Sequence, residues 1–539
     1  MLSHRTQVCV ILAAAWASSA GCSDDDSVQT CPDPGQTLCG VDECVDLQTD
    51  PGHCGDCDLA CDPGQTCVGG HCLSGLLPPE DFHGLHVGSD YRLRWLDLNS
   101  DEDHYLLERR ADSETQWAVL ADLGPDATEY LDVDFSSGAG YHYRLRATRG
   151  EDQSAPVTLS SALPLWTYIR IVDYDGIWGN EGTPAEEVAG LIQGHMTWGL
   201  EMIGADENLS LVLLGDAYGD GGSIYGAVAS GSGTTLINQP ELQMDVVSTY
   251  EDFFDWVLQN HPGQRYVIAF WGHGGGVSVP GGTLGYDDTS GGDGLTPAEM
   301  ADALGYLAGR IGKQVDLLYL CTCLNGMFEN AYEWRSSVRW FVAGETSVGC
   351  AVNPIDVLKG HEDMTVRDLA QATVEGFEDF AGQGYNVVYS AVDTGHATAM
   401  ADLLDGLSQA LMTYVDLGTT ELDAVVDVAA NAQTMGDPQY AGYDLAYLDL
   451  YDFCDDLIGA VDDPDIEALC ADIMTLLEGQ LVLDYVQTDP GDYDQAHGIS
   501  IYHPNPRYNT YWSGMPAYYQ GHALSQDTHW GDYLLTLYP

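Results

Sequence analysis

The sequence has very few basic residues. Only 17 Lys and Arg stand against 84 Asp and Glu, which gives a formal net charge of −67 at pH 7, and two of those bases are lysines, Lys313 and Lys359. A charge of this size repels polyanions and anionic lipid headgroups over a long range. The composition therefore excludes nucleic acid as a partner, and it excludes a membrane contact made through a basic surface.

Long apolar runs are scarce as well. The run at 8–17, VCVILAAAWA, follows Arg5 and is too short for a helix that crosses a bilayer. It ends in SSAGC, small residues before Cys22, which together with the run is typical of an export signal over residues 1–22. An N-terminal helix that stays in the fold is the alternative. We therefore expect an extracytoplasmic protein.

The end of this segment resembles the lipobox of bacterial lipoproteins, in which the cysteine carries the lipid. The resemblance implies lipidation of Cys22 and a location at the outer surface or in the periplasm, with this anchor as the protein's one link to a membrane. Ser19 stands where that motif usually has Leu. Ordinary cleavage and secretion is therefore the second interpretation.

Cysteines are concentrated near the N-terminus. Of fifteen in the chain, eight lie at positions 31, 39, 44, 54, 57, 61, 67 and 72, after an acidic spacer at 23–30. A segment as small as 31–73 cannot bury a core, so an even cysteine count predicts a module held by four disulfides. Zinc binding through the CGDC pair is the alternative, and it lacks a matching second pair.

The region 79–162 has the pattern of β-structure. Short alternating runs such as YRLRWLDL, HYLLERRA and YHYRLRATRG are separated by turn residues, at the spacing of a β-sandwich. The region resembles a fibronectin type III domain, which implies that Trp95 is a core aromatic and that 141–147 lies on a late strand. Such a domain implies a spacer or adhesion role.

From residue 166 onward, apolar strands alternate with helical stretches. Helices are predicted near 184–203, 248–260, 297–311 and 327–335, and strands include WTYIRIVDY, LSLVLLGD, YVIAFWGH, VDLLYLC and VRWFVAGE. This order favours one α/β domain over 166–539, with a mostly parallel sheet between helices and further strands near 386–393 and 497–504. Such folds place their sites at the carboxyl ends of the strands.

Two of these strands end in reactive groups. His273 and three glycines follow one strand, and Cys323 in the sequence CTC follows the next. The glycines would allow close approach of a substrate and direct N–H groups at it. A thiol and an imidazole on neighbouring strand ends are the minimum for a thiol peptidase. The alternatives are a loop histidine before a flexible turn and a structural or metal-binding thiol pair.

The segments WGHGGG, GYDDTSGGDGLTPAEMADAL and CTCLNGMFENAYEWR, in this order, resemble the clostripain family of cysteine peptidases, which shares its fold with caspases, legumain and gingipains. The resemblance implies a caspase-like fold and a cysteine endopeptidase that acts on proteins or peptides and requires no cofactor. It assigns Cys323 as nucleophile and His273 as its base, with the N–H groups of Gly274 and Cys323 as the oxyanion hole.

One departure from the family concerns specificity. The family residue two before the nucleophile is usually an Asp that selects Arg or Lys, and here it is Cys321. With Cys323 as nucleophile, we hypothesise disulfides between Cys321 and Cys350 and between Cys454 and Cys470. Glu345 either supplies a carboxylate near the pocket in place of the missing Asp, which would restore basic specificity, or is a solvated loop acid.

The loop after His273 allows a further expectation. Asp287, Asp288 and Asp293 could bind calcium, although a solvated loop that caps the next helix fits the same residues. No Lys or Arg occurs between His273 and Arg310, so the loop offers no basic site for self-cleavage.

Two other functions compete with the peptidase. One is a cell-surface binding or adhesion protein with an inactive peptidase-like domain, which the two N-terminal modules would suit. The other is a metal-dependent hydrolase, for which the sequence has no HExxH motif.

Overall fold

The computed structural model describes most of the chain from residue 71 onward. The described ranges are 71–136, 138–173, 206–216, 223–229, 233–278, 284–287, 293–347, 351–380, 387–435, 447–488, 493–504 and 519–537, with short segments at 37–39, 43–45, 50, 53–54, 57, 65–68 and 194. The predicted export signal with Cys22, the spacer at 23–30 and, apart from Gly194, the helix near 184–203 lie outside the described residues.

Two small hairpins form the described part of the cysteine-rich module. Their strands are Thr37–Cys39 (β1), Glu43–Val45 (β2), Gln65–Val68 (β3) and His71–Ser74 (β4). Disulfides join Cys39 to Cys57 and Cys54 to Cys67, and Cys44 is disulfide-bonded too. Because Cys54 and Cys57 belong to different disulfides, the zinc alternative for CGDC is wrong.

A β-sandwich follows the module. Its strands are Glu80–Val87 (β5), Asp90–Leu96 (β6), His104–Ala111 (β7), Ala118–Leu123 (β8), Glu129–Asp132 (β9), Tyr141–Arg149 (β10), Asp152–Gln153 (β11) and Val157–Ser160 (β12). One sheet has the order β5-β6-β9, and the other has β11-β10-β7-β8 with β12 also on β10. Alternate residues of β6 are buried, and Trp95 lies in the core at 2% exposure, as predicted.

A nine-stranded sheet is the centre of the second domain. Its strands are Trp166–Asp173 (β13), Leu209–Asp216 (β14), Ile224–Ala229 (β15), Gly233–Asn238 (β16), Arg265–Trp271 (β17), Val315–Cys321 (β20), Val338–Gly344 (β21), Val388–Asp393 (β22) and Val482–Gln487 (β24). The short pairs Leu284–Asp287 (β18) with Asp293–Leu295 (β19), and Tyr447–Asp449 (β23) with Ser500–Tyr502 (β25), lie beside it.

The order of the large sheet is β16-β15-β14-β13-β17-β20-β21-β22-β24. The five central strands, from β14 to β21, are parallel, and the outer strands pair antiparallel. Strands β13, β14 and β20 are buried along their whole length, because continuous apolar runs suit strands covered on both faces. The predicted α/β class is confirmed, with parallel pairing confined to the centre.

Helices cover both faces of this sheet. They are Val247–Asn260 (α1), Pro297–Ile311 (α2), Phe328–Trp334 (α3), Pro354–Leu358 (α4), Val366–Glu375 (α5), Ala397–Val415 (α6), Thr419–Asn431 (α7), Leu450–Ala460 (α8), Pro464–Leu476 (α9), Ala523–Asp527 (α10) and Trp530–Leu537 (α11), with 3-10 turns at Gly276–Ser278, Gly376–Phe380, Thr394–His396 and Tyr519–Gly521 and a π turn at Leu477–Leu481. Phe253 and Leu304 pack in the core on one face, and Ile355 and Leu369 pack in the core on the other.

Helix α2 shows how local sequence fixes the connection between β17 and β20. Thr296 and Glu299 form a capping box at its start, with Pro297 as the first helical residue. The helix ends at Gly312, whose φ of 75° is a left-handed conformation that glycine adopts without strain. Because the helix begins and ends at these residues, the chain returns to the start of β20, which runs parallel to β17.

The sandwich packs against the amino ends of the central strands. Arg265, the first residue of β17, is buried and pairs with Asp81 of the sandwich. Gln264 accepts a hydrogen bond from the Gly84 N–H at 2.9 Å, and Asn208 accepts one from the His86 N–H at 2.8 Å. The carboxyl ends of the same strands therefore lie at the edge of the sheet away from the sandwich.

No helix in the described part of the chain combines the length and the hydropathy that crossing a lipid bilayer requires.

Candidate active site

His273 and Cys323 follow neighbouring strands at equal distances along the chain. Strands β17 and β20 are parallel, and Trp271 is the register partner of Cys321. The N–H of Gly272 donates to the carbonyl of Cys321 at 3.4 Å, so the contact continues past the end of β17. Each predicted catalytic side chain lies two residues beyond this register pair. The sheet therefore brings the imidazole and the thiol to the same edge.

Gly274 fixes how closely the two strand ends approach. A Cβ at this position would lie 2.3 Å from the carbonyl oxygen of Cys323 and 2.9 Å from its backbone nitrogen. Distances this short to backbone atoms are not compatible with a side chain. The glycine next to His273 thus packs directly on the backbone of Cys323, the predicted nucleophile.

The chain turns sharply after Cys323. Leu324 has a φ of 58°, in the left-handed region that a branched, bulky residue rarely adopts. Its N–H donates to the Thr346 carbonyl at 3.0 Å, and the Gly326 N–H donates to the Gly344 carbonyl at 2.8 Å. Both acceptors lie at or just after the end of β21, so the neighbouring strand supports the strained turn. Such outliers are concentrated at functional sites.

Asn325 holds the same turn from inside, and sequence reasoning did not single it out. The side chain is fully buried, and its Nδ2 donates to Thr322 Oγ1 at 2.8 Å and to the Cys323 carbonyl at 3.1 Å. Asn330 Nδ2 donates to the Asn325 carbonyl at 3.1 Å. An amide two residues after a candidate nucleophile was the available signal, because this side chain can bridge both sides of a tight turn.

The glycine loop is held by a second residue that the sequence pattern did not reveal. The Tyr447 hydroxyl donates to the Gly275 carbonyl at 2.7 Å. Gly276 has a φ of 64°, and a Cβ there would lie 2.6 Å from the same hydroxyl. The loop after His273 is therefore held against β23, which argues against the alternative of a flexible turn.

The two reactive side chains differ from their surroundings in exposure. His273 is exposed and Cys323 is half-buried, whereas the residues around them are mostly buried. The Cys323 sulfur is present as a thiol. Tyr389 lies near this thiol, and burial raises the pKa of its phenol well above its usual value. A substrate can thus reach the imidazole and the thiol from solvent.

Cys321 is buried at 3% exposure and is disulfide-bonded. Cys350 lies outside the described residues, so its pairing with Cys321 stays a prediction. One contact nearby agrees with it, because the Tyr319 hydroxyl donates to the Val352 carbonyl at 2.6 Å. This bond holds the chain two residues after Cys350 against β20, two residues before Cys321.

Glu345 does not lie in an exposed loop. Its side chain is fully buried after β21, and the backbone N–H of Gly498 faces its carboxyl group. Burial, and then the Asp449 carboxylate, raise its pKa well above the usual value. The expectation of a solvated acid is wrong. A substrate cation cannot reach this enclosed carboxyl without an opening of the fold, which weakens the pocket alternative.

A buried carboxyl links the helix after the nucleophile to the late strand β25. Glu329 Oε1 accepts hydrogen bonds from the Tyr502 N–H at 2.8 Å and from the Tyr519 hydroxyl at 2.9 Å. Burial raises the pKa of Glu329 to about 7. The predicted segment HGISIYHP also reaches the turn after Cys323, because the Ser500 N–H donates to the Gly326 carbonyl at 3.0 Å.

Cys454 and Cys470 do not form the disulfide expected from the sequence. Both are buried thiols, and they face each other from the packed helices α8 and α9. Burial, followed by the hydrogen bond to Cys470, raises the pKa of the Cys454 thiol well above its usual value. Both side chains pack in the apolar core of the helical face, where thiols behave as small apolar groups.

The loop expected to bind calcium is only partly described. Asp287 is fully buried and accepts a hydrogen bond from the Met244 N–H at 3.0 Å. Asp288 and the side chain of Asp293 lie outside the described residues. Calcium binding here stays a prediction.

Comparison with known proteins identifies the family. The model of the clostripain family, Peptidase C11, matches residues 200–535. Since this match spans more than half of the chain and includes both strand ends described above, the chain belongs to the clostripain family and is a cysteine endopeptidase. A second and shorter match, to the stigma-specific STIG1-like protein family, covers residues 19–81 and so the cysteine-rich module.

Three solved structures are distantly similar. A secreted C11 cysteine protease from Bacteroides thetaiotaomicron with an irreversible peptide inhibitor is 14% identical, with a TM-score of 0.46 over 70% of this chain and 99% of that chain. An inactive zymogen C11 protease from Parabacteroides distasonis is 14% identical, with a TM-score of 0.45 over 68% of this chain and 98% of that chain.

The third is an Fn3-like protein from Clostridium thermocellum, 19% identical over 16% of this chain and 92% of that chain, with a TM-score of 0.15. No curated protein matches the chain. Membership of the family follows from the family match alone.

Proposed function

We propose that the protein hydrolyses peptide bonds through a Cys323–His273 dyad and a covalent acyl-enzyme. The observation that carries this proposal is the register of β17 and β20, in which Trp271 pairs with Cys321, together with the packing of Gly274 on the Cys323 backbone. These contacts support a thiol and an imidazole that act on one bound peptide.

The chemistry follows from the two groups. The Cys323 sulfur, as thiolate, forms a bond to the carbonyl carbon, and the carbonyl electrons move onto oxygen. The N–H groups of Gly274 and Cys323 would stabilise this oxyanion. When the carbon–nitrogen bond breaks, the His273 imidazolium gives its proton to the leaving amine. Water, deprotonated by the same imidazole, then cleaves the thioester and returns the thiol.

The absence of a carboxylate at the pocket position supports a specificity that differs from the family pattern. Cys321 occupies the position where the family usually has Asp, and in a disulfide it can neither carry charge nor pair with a guanidinium. Glu345 is enclosed and does not replace it. We therefore infer that the residue before the cut is uncharged rather than Arg or Lys.

A peptide library varied at the residue before the cut tests both inferences. The wild type should cut after uncharged residues, and Cys323→Ala should be inactive. Cleavage after Arg or Lys would contradict the specificity and leave the dyad intact. If the wild type cuts no peptide, the binding or adhesion role becomes the better explanation.

Thiol labelling separates the enzyme from an inactive homologue. An electrophilic peptide probe should label the wild type once, and labelling should disappear in Cys323→Ala and fall strongly in His273→Ala, since the imidazole favours the thiolate. Cys454→Ala is the matched control. The Cys454 thiol is fully buried and should not react, so this variant should be labelled like the wild type. Labelling that persists without His273 would contradict the dyad.

We also infer an extracytoplasmic location, supported by the disulfides of the N-terminal module and by the signal-like first 22 residues. Lipid attachment at Cys22 is the proposed anchor, and nucleic acid is not expected as a partner. Cell fractionation of the wild type and Cys22→Ser tests the anchor. Release of only the variant into the soluble fraction supports lipidation, whereas equal behaviour indicates secretion.

A further inference from the structure

Three carboxylates converge at one end of the β-sandwich, far along the chain from the catalytic strands. Asp97 and Glu102 lie in the connection from β6 to β7, and Asp126 lies in the connection from β8 to β9. One oxygen atom from each residue can be chosen so that all three lie within 4.8 Å of one another. Asp126 is exposed, Asp97 is half-buried, and Glu102 is only 5% exposed.

The hydrogen bonds around the cluster leave one buried oxygen unused. Asp97 Oδ1 accepts from the Tyr105 hydroxyl and from the Asn99 N–H, and Glu102 Oε1 accepts from the Asp126 N–H at 2.9 Å. Glu102 Oε2 is buried and receives no hydrogen bond from an N–H or O–H group within the described residues. The Glu102 side chain faces the Asp97 carboxyl, and the two can form a hydrogen bond only if one of them holds a proton. A buried carboxylate oxygen without a partner is costly unless a cation compensates for it.

Basic side chains do not supply this compensation. In the described part of the chain no Arg, Lys or His forms an ion pair with any of the three carboxylates, and the nearby bases pair with other acids: Arg149 with Asp101, and His104 with Asp122 at 3.8 Å.

The ligand set selects the kind of cation. All three donors are carboxylate oxygens, which hard divalent ions prefer, whereas zinc favours nitrogen and sulfur. Calcium–oxygen distances of about 2.4 Å allow ligand atoms on one ion to lie up to about 5 Å apart, as these do. Magnesium demands a tighter octahedron. We propose that Asp97, Glu102 and Asp126 bind one calcium ion, with water completing its coordination.

The ion would connect two loops that join the opposite sheets of the sandwich, because β6 and β9 belong to one sheet and β7 and β8 to the other. Asn99 lies between two of the ligands in sequence and binds the segment that leads into the sandwich. Its Oδ1 accepts from the Leu77 N–H at 2.8 Å, and its Nδ2 donates to the Leu77 carbonyl at 3.0 Å. Calcium would therefore stabilise the junction between the cysteine-rich module and the sandwich.

Calcium titration of the full chain tests this site independently of peptidase activity. After treatment with EDTA, added CaCl₂ should raise the Tm of the wild type until the site saturates, and an equal concentration of MgCl₂ should not. Glu102→Gln should lose this rise and bind one calcium ion fewer per chain by calorimetry. Without calcium, this variant should be at least as stable as the wild type, since a buried charge is gone and the Asp126 N–H keeps its acceptor.

Asp122→Asn is the matched control, because it removes an exposed carboxylate of the same domain outside the cluster, and it should respond to calcium like the wild type. If Glu102→Gln does not fold, the exposed ligand is tested instead through Asp126→Asn, which should weaken calcium binding at least tenfold. Equal calcium stoichiometry and equal Tm shifts in the wild type and a ligand variant would overturn the site.

Discussion

Gly274 packs on the backbone of Cys323 with no room for a side chain between them. The position that a Cβ would take lies 2.3 Å from the Cys323 carbonyl oxygen. The loop that carries His273 and the turn that carries Cys323 are therefore one packed unit, and the spacing between the proposed base and the proposed nucleophile depends on this glycine.

The first prediction concerns this contact. Gly274→Ala should lower kcat/KM by about 100-fold or more, because the added methyl must displace backbone atoms of the nucleophile, and shifts of about 1 Å cost that much in catalysis. Peptide hydrolysis and the rate of thiol labelling measure the effect.

Gly309→Ala provides the control for a methyl added elsewhere. Gly309 is exposed near the end of α2, and a Cβ there would meet nothing within 4 Å. Activity should be unchanged and stability slightly higher, since alanine favours helix. Equal activity of the two variants would show that the close contact at Gly274 does not matter for catalysis.

The second prediction concerns the contact between the domains. Arg265→Ala should lower the free energy of unfolding by about 3 kcal/mol, because it breaks a buried ion pair. This value is at the lower end of the usual cost for such a pair, since Asp81 is 25% exposed. Arg265 Nη1 also donates to the Met364 carbonyl at 2.9 Å, and this bond is lost as well. Chemical denaturation of the full chain gives the value.

Arg310→Ala is the comparison for that experiment. Both side chains of the Arg310–Asp255 ion pair are exposed, so solvent screens their attraction. The unfolding curve of this variant should therefore stay close to that of the wild type. Similar shifts in both variants would mean that Arg265 does not hold the sandwich in place.

The third prediction is a pH dependence from Glu329. Burial raises the pKa of this carboxyl from 4.5 to about 7 in the folded chain. Its protonated form stabilises the fold fully below pH 4.5, and this contribution is lost as the pH rises toward 7, by about 1.4 kcal/mol for each unit of pKa difference. Glu329→Gln cannot ionise, so its stability should fall less over this range.

Thermal unfolding between pH 4.5 and 7 measures the difference between wild type and variant. Glu467→Gln changes an exposed carboxyl on α9 and should follow the wild-type profile. A Glu329→Gln profile parallel to that of the wild type would assign the buried proton to another group.

The fourth prediction converts the specificity. In the double variant Cys321→Asp with Cys350→Ala, a carboxylate returns to the family position, and a charge-assisted hydrogen bond of about 1.5–3 kcal/mol should raise cleavage after Arg by about 10- to 100-fold. Cys321→Ser with Cys350→Ala also removes the disulfide and adds no charge. If both double variants gain the same activity toward Arg, loss of the disulfide and not the carboxylate is responsible.

The strand ends and the helices between them were predictable because their signals are local. The apolar runs before His273 and Cys323 form β17 and β20, and the capping residues around α2 fix the connection between them. The hairpin of β15 and β16 was not predicted, since glycines and small residues dilute its alternating pattern.

Features that depend on contacts between distant parts of the chain have no local sequence pattern from which they could be predicted. Glu345 follows a strand as many loop acids do, and it is buried because residues distant in sequence, among them Asp449 and Gly498, lie around it. The expected Cys454–Cys470 disulfide relied on counting cysteines, and counting cannot tell a thiol pair in a core from a covalent bond. The carboxylate cluster of the sandwich combines two loops that are separated in sequence by two strands, β7 and β8, and the turn between them.

The pairing of Arg265 with Asp81 has a consequence for how the chain divides. A fragment that begins at residue 166 would contain every predicted catalytic group, yet it would leave a guanidinium that is 1% exposed facing water where Asp81 had been, with Trp166 beside it at 4.9 Å. The boundary between the two domains in sequence is thus not a boundary in folding. The sandwich supports the amino ends of the peptidase strands. The two domains should therefore be inherited together and should unfold as one cooperative unit.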